Sequence, residues 1–302
     1  MSLLVAYFLT TLVSIFLLVT ISATEAYGQD SKVDSLRQAV AQATDPEVKA
    51  QLLLDLYNRI RIVEQYDPVC LLPLEESIRL AERENLTDEL IYAIRHKAFY
   101  YRNAPESDYD SASYYFHKAL WLAQQQGHQE STARVLYDLG YFYLFHRREQ
   151  LDSALYYYHQ SLEVNTPIID TLLCADAIAE IGVYYYILGD HQKGLEYAEQ
   201  SLAVSPILPA MNTAGICLDN LGRHAEAIEY YLKGLKIKES EVYWKPFFLI
   251  NLGRSYNLQK EYEKALPYLH EAKEIFQEKN RLQLIITLEY LGLSLTELGQ
   301  YD

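Results

Sequence analysis

The chain has 302 residues, half of them hydrophobic, with only 12 Gly and 9 Pro, which argues for packed structure and against a disordered or collagen-like chain. A formal net charge of −15 with no basic run anywhere argues against nucleic acid as a partner, because phosphate binding needs clustered Lys and Arg. Cys70, Cys174 and Cys217 are odd in number, far apart and set among apolar neighbours, so they read as three buried thiols and not as a disulfide framework or a metal knuckle.

The first element in chain order is an address. Residues Leu3 to Ile21 are apolar apart from Thr and Ser, and Ala26-Tyr27-Gly28 supplies small residues that a signal peptidase accepts before Gln29. Residues 1–28 are therefore expected to be a signal peptide that directs export to the periplasm or cell envelope. The same run approaches the length of a membrane span, and no Lys or Arg precedes Lys32, so an uncleaved N-terminal anchor acting as a membrane tether is the alternative. Residues 29–44 are expected to form a capping helix ahead of a repeat array over 45–302.

That array declares itself by self-similarity. The stretch NLGRSYNLQKEYEKALPYLHEA (Asn251 to Ala272) aligns with TAGICLDNLGRHAEAIEYYLKG (Thr213 to Gly234), EIGVYYYILGDHQKGLEYAEQS (Glu180 to Ser201) and YLGLSLTELGQYD (Tyr290 to Asp302). Gly182, Gly215, Gly253 and Gly292 head the columns, and a second Gly recurs at Gly189, Gly222 and Gly299. Upstream, Asp138 to Ser161 and His96 to Ala119 fit with about two extra residues in the turn, and Leu53 to Ser77 is a looser first copy. The spacing has a physical reason. Two helices joined by a tight turn pack closely only if small side chains sit where they meet, which predicts Gly253 against Ala265 and Gly215 against Ala227. The later Gly is expected to take the left-handed backbone that ends the first helix. Most of the 28 Tyr fall on these columns and read as packing between helices, not as a radical relay or ligand box.

These columns resemble the tetratricopeptide repeat. The resemblance covers about Asp45 to Asp302 and implies an all-α, right-handed superhelical solenoid of antiparallel helix pairs, six repeats and a truncated seventh. Three positions depart from the family pattern: Gly194 and Gly234 stand where it has Ala, and Lys260 where it has the turn Gly. The family's groove positions, carried over, select Arg95, Phe99 and Arg102; Tyr137, Tyr141 and Phe145; Val183 and Tyr186; Asn212, Ile216 and Asp219; and Ile250, Arg254 and Asn257. The resemblance thus implies a protein or peptide ligand in a concave groove. Ala179 and Val183 replace the Lys and Asn with which some members clamp a terminal carboxylate. A mixed groove remains, with Tyr137, Tyr141 and Tyr186 as apolar anchors and Arg254 as a carboxylate partner. The alternative is that these aromatics cover the core or serve self-association.

No strand pattern, phosphate loop or nucleophile elbow occurs. HEAKE (His270 to Glu274) has Glu274 where the zinc-protease helix needs its second His. Neither catalysis nor a metal or cofactor site is expected in these residues. The stretch Tyr290 to Asp302 stops where a second helix should begin, which predicts Leu288, Leu291 and Leu295 without a partner and a chain that continues elsewhere. Similarity to the extracytoplasmic half of bacterial one-chain sensors implies the input region of a signalling protein. A free envelope scaffold, and the N-terminal region of an enzyme with its catalytic domain beyond Asp302, are the competing readings.

Overall fold

The computed structural model describes residues 31–63, 67–166, 170–238, 244–276 and 281–300. The expected signal or anchor over residues 1–28 lies outside them. All regular structure among the described residues is helical, in two compact units that divide between Ser131 and Thr132.

In the first unit, α1 (Ser31–Gln42) packs on α2 (Pro46–Val63), which pairs with α3 (Leu71–Glu84); α4 (Thr87–Asn103) pairs with α5 (Tyr109–Gln125). The starts are set by short acidic side chains. The Asp45 carboxylate accepts from Val48 N–H at 3.0 Å ahead of Pro46, and Asp108 accepts from Ser111 N–H at 2.9 Å.

The second unit is built from α6 (Gln129–His146), α7 (Leu151–Val164), α8 (Thr171–Ile187), α9 (His191–Val204), α10 (Leu208–Asn220), α11 (His224–Leu235), α12 (Lys245–Leu258), α13 (Tyr262–Phe276) and α14 (Arg281–Glu297). Neighbouring helices pack in chain order, and alternate ones also touch: α8 with α10, α10 with α12, and α12 with α14. This is the stacking of an all-α repeat solenoid. Gly189, Gly222 and Gly299 have φ of +82°, +78° and +70°, and Lys260 holds the same left-handed conformation at +61°.

The glycines that head the columns are closed off first by side chains that the spacing did not single out. A Cβ on Gly253 would lie inside contact distance of the Leu269 side chain, and one on Gly215 would collide with the Tyr231 ring. Gly140 faces Tyr158 in the same way, at 2.6 Å. Ala265 and Ala227 are buried, and the first groups a Cβ would meet are the Leu269 and Tyr231 side chains. In α8 and α9 the corresponding ring is replaced by Ala198, so the helices approach until a Cβ on Gly182 would sit 3.0 Å from the Gly194 carbonyl and 3.3 Å from Ala198 N. Gly194 in place of Ala therefore accompanies the loss of the ring.

Within each unit the tyrosines pair at repeat spacing. Tyr101 stacks on Tyr115 in the first unit. Tyr143 on Tyr157, Tyr185 on Tyr197 and Tyr256 on Tyr268 do so in the second, with ring centroids 5.3–5.7 Å apart and planes within 16° of parallel. Lysines lie over several of these rings, Lys193 at 4.5 Å from the Tyr185 centroid. A second periodic contact joins the two helices of a pair. The hydroxyls of Ser77, Ser161 and Ser201 donate to the carbonyls of Ala50, Ala133 and Ala175 at 3.2, 2.7 and 2.7 Å.

Two further expectations change. Cys70 and Cys217 are buried, and burial pushes both thiols up to about 12, but Cys174 is only half-buried. Leu291 packs on Ala265 and Leu269, with Leu295 beside it, because α14 lays that face on α13; Leu288 is exposed.

Candidate functional site

The second unit holds a concave pocket of about 500 Å³. It is made by the first helices of three consecutive repeats: Tyr137, Tyr141 and Phe145 from α6; Asp176, Glu180, Val183 and Tyr186 from α8; Pro209, Asn212, Thr213 and Ile216 from α10. Trp244, at the entry to α12, completes it. Helical spacing explains the set, since residues three and four apart share a face and each helix turns one such face to the cavity. The size suits a ligand of several heavy groups, and the lining is mostly aromatic and aliphatic with few polar atoms.

The two carboxylates are the exception. Asp176 and Glu180 lie one turn apart and are the only charged side chains in α8. Glu180 is half-buried as a residue, yet its Oε2 is sealed from solvent and has no hydrogen-bond partner among the described residues. Burial, and then the Asp176 charge, push the Glu180 carboxyl up to about 8. Asp176 is raised to about 6, chiefly by burial, with Asp170 adding and Arg134 opposing. The hydroxyl of Tyr158 is likewise buried without a partner. Burial followed by the Glu180 charge drives the phenols of Tyr137 and Tyr158 well above their ordinary range.

Seven of the residues expected to face a groove meet in this pocket: Tyr137, Tyr141, Phe145, Val183, Tyr186, Asn212 and Ile216. The Asn212 side-chain oxygen also accepts from Asn251 Nδ2 at 2.8 Å. Arg254 is partly exposed on α12 and does not line the pocket. In the first unit, two guanidinium groups lie over the Phe99 ring, Arg95 at 4.9 Å and Arg102 at 4.8 Å from its centroid.

Three others turn inward. Ile250 is buried with Leu249, Ala272 and Phe276. Asp219 accepts from Ser255 Oγ at 2.7 Å and Tyr231 OH at 3.3 Å, with His224 Nδ1 at 3.0 Å from its other oxygen. Asn257 donates to the Tyr290 carbonyl at 2.9 Å and accepts from Ser294 Oγ at 2.7 Å. Asp219 and Asn257 stand four residues after their column glycines, and Ser255 and Ser294 two residues after the next ones. A hydroxyl offered by the following repeat draws the polar side chain between the helices. Tyr186, whose successor repeat offers Cys217 instead, faces the pocket.

The residues that pattern reasoning passed over are Asp176, Glu180, Pro209, Thr213 and Trp244. For the carboxylates a signal existed: two charges spaced four apart in an otherwise apolar helix must share a face, in phase with Val183. Among the described residues no group of three His, Cys, Asp or Glu side chains could hold a metal ion, and no helix is long and apolar enough to cross a membrane.

Tetratricopeptide-repeat family models match residues 208–241, which take in the α10/α11 pair, and 249–280, which take in most of the α12/α13 pair. No curated protein matches the chain. Solved structures with a similar fold include the apo form of the quorum sensor NprR from B. thuringiensis, 16% identical, covering 94% of this chain and 81% of that one at a TM-score of 0.67. PilW, a type IV pilus biogenesis factor, is 17% identical over 79% of this chain and 98% of its own, with a TM-score of 0.59. A signal transduction ATPase with a tetratricopeptide repeat sensor from Pyrococcus horikoshii is 17% identical over 87% of this chain and 42% of that one, at 0.57. At such identity the likeness is one of fold. A stack of helix pairs of this kind is a protein-interaction module. Two of its repeats are tetratricopeptide repeats by sequence, and further helix pairs are built on the same columns.

Proposed function

We propose that this chain is a non-catalytic peptide-binding module that works outside the cytoplasm as the input region of a signalling protein. The observation that carries the binding reading is the pocket shared by α6, α8 and α10, where Tyr141, Phe145, Tyr186 and Trp244 offer aromatic surface at the place where three repeats converge. Aromatic anchors in a desolvated concavity are the residues that dominate peptide and protein binding energy. Export rests on the apolar run Leu3 to Ile21 and the small residues before Gln29.

Peptide selection from a random library on the exported chain tests the binding reading. Enriched peptides are expected to lose at least tenfold in affinity with Tyr141→Ala or Tyr186→Ala, and to keep it with Tyr256→Ala, whose ring stacks on Tyr268 away from the pocket. Enriched peptides indifferent to both pocket variants would remove the pocket from the account.

A further inference from the structure

The geometry points to a basic side chain, Lys or Arg within an extended peptide segment of a partner protein, as the occupant of this pocket, held between its aromatic walls and the Asp176–Glu180 carboxylate pair. This deepens the binding reading above and rests on it.

The empty pocket is electrostatically incomplete. Two carboxylates share one face of α8 with no cation lining the same cavity, and a buried Glu180 Oε2 has no donor. An uncompensated buried acceptor is costly, and the cost is lifted by a donor that carries positive charge. The aromatic side chains beside it favour the same guest, since an ammonium or guanidinium group is attracted to the faces of Tyr and Trp rings. A negative peptide side chain would meet like charge in a poorly solvated cavity. An apolar one would leave Glu180 unpartnered, and a neutral amide could donate to it but would not offset the charge of the pair. The cavity exceeds what a single charged head group needs, so the flanking peptide residues have room against Tyr186, Ile216 and Trp244.

Proton linkage supplies an independent signature. The titratable groups that face Glu180 are Asp176 on its own helix, Tyr137 and Tyr141 from α6, and Tyr158 from α7; Arg134 acts on Asp176. Burial, and then the Asp176 charge, keep Glu180 largely protonated in the empty pocket at neutral pH. A cation lowers its pKa, so binding expels a proton and strengthens as pH rises.

The test is calorimetric titration of the chain with the blocked pentapeptides Ac-Ala-Ala-Arg-Ala-Ala-NH2 and its Lys, norleucine, citrulline and Glu counterparts, between pH 6 and 9 in two buffers of different ionisation enthalpy. The Arg or Lys peptide is expected to bind at least tenfold tighter than norleucine or citrulline, to gain about 40-fold or more from pH 6 to 8.5, and to release close to one proton at pH 7. Glu180→Gln, nearly isosteric, should remove the pH dependence and at least tenfold of the affinity while leaving the circular dichroism spectrum unchanged. Basic peptides that bind no tighter than norleucine, or that ignore Glu180→Gln, would overturn the inference. If norleucine peptides still bind in a Tyr141- and Tyr186-dependent way, the peptide groove stands and only the cation falls. If arginine amide or spermidine binds as tightly as the pentapeptide, the site takes small cations and the commitment to a peptide is wrong. A chain that self-associates through the pocket, so that Glu180→Gln converts a dimer into a monomer by light scattering, would equally overturn it.

Discussion

At the scale of single residues, glycine does different things in the same column. Gly253 is enclosed by Leu269, whereas a Cβ on Gly292 would meet nothing within 4 Å. Gly253→Leu should therefore cost about 1–3 kcal/mol through overpacking, and Gly292→Ala should stabilise by about 0.5–1 kcal/mol, the ordinary gain of replacing a glycine inside a helix. Thermal melts of the two variants check this, and equal shifts would contradict it. The column was plain in the sequence, but the opposing residue was not. Spacing pointed to Ala265 and Ala227, yet helical side chains lean back toward the N-terminus, so Leu269 and Tyr231, one turn further on, cover the spot opposite the glycine. Asp219 and Asn257 escaped prediction for a related reason: their fate depends on a hydroxyl in the next repeat, not on their own position.

At the scale of helices and turns, four of the repeats end their first helix the same way. Gly189, Gly222 and Gly299 adopt a left-handed backbone at no steric cost, while Lys260 does so with a side chain. The left-handed conformation costs an L-residue roughly 1–2 kcal/mol, and glycine forfeits roughly 0.5–1 kcal/mol of chain entropy. Lys260→Gly should accordingly raise stability by about 0.5–1 kcal/mol in urea titration; a lower midpoint would show that Lys260 makes a compensating contact. The turns were legible in the sequence because their chemistry is local. The stacked pairs Tyr185–Tyr197 and Tyr256–Tyr268 were legible only as columns, since ring orientation is settled by two helices at once.

At the scale of the whole molecule, each unit holds a group that burial keeps from ionising at its ordinary pH, His96 in the first and Glu180 in the second, and their effects on stability run in opposite directions. His96 in the first unit is held at about 3 by burial, then by Arg95 and Arg61, so below its ordinary 6.5 the unfolded chain takes up a proton that the folded unit refuses. Its stability should fall as pH drops from about 6.5 toward 3. Glu180 in the second unit is raised from 4.5 to about 8, so between those values the folded unit holds a proton that the unfolded chain has lost. That unit should weaken as pH rises through the same window, by at most about 1.4 kcal/mol for each step of one in pH. Calorimetric scans from pH 4 to 8.5 are expected to move two transitions in opposite senses, with His96→Phe flattening the acid slope and Glu180→Gln the alkaline one. Parallel movement of both would refute the assignment.

The chain contains two tryptophans. Trp121 is exposed on α5 in the first unit, and Trp244 borders the cavity in the second. Replacing Trp121 by Phe would leave a single indole beside the site, and its emission colour and intensity would register the arrival of a guest optically, with no label attached.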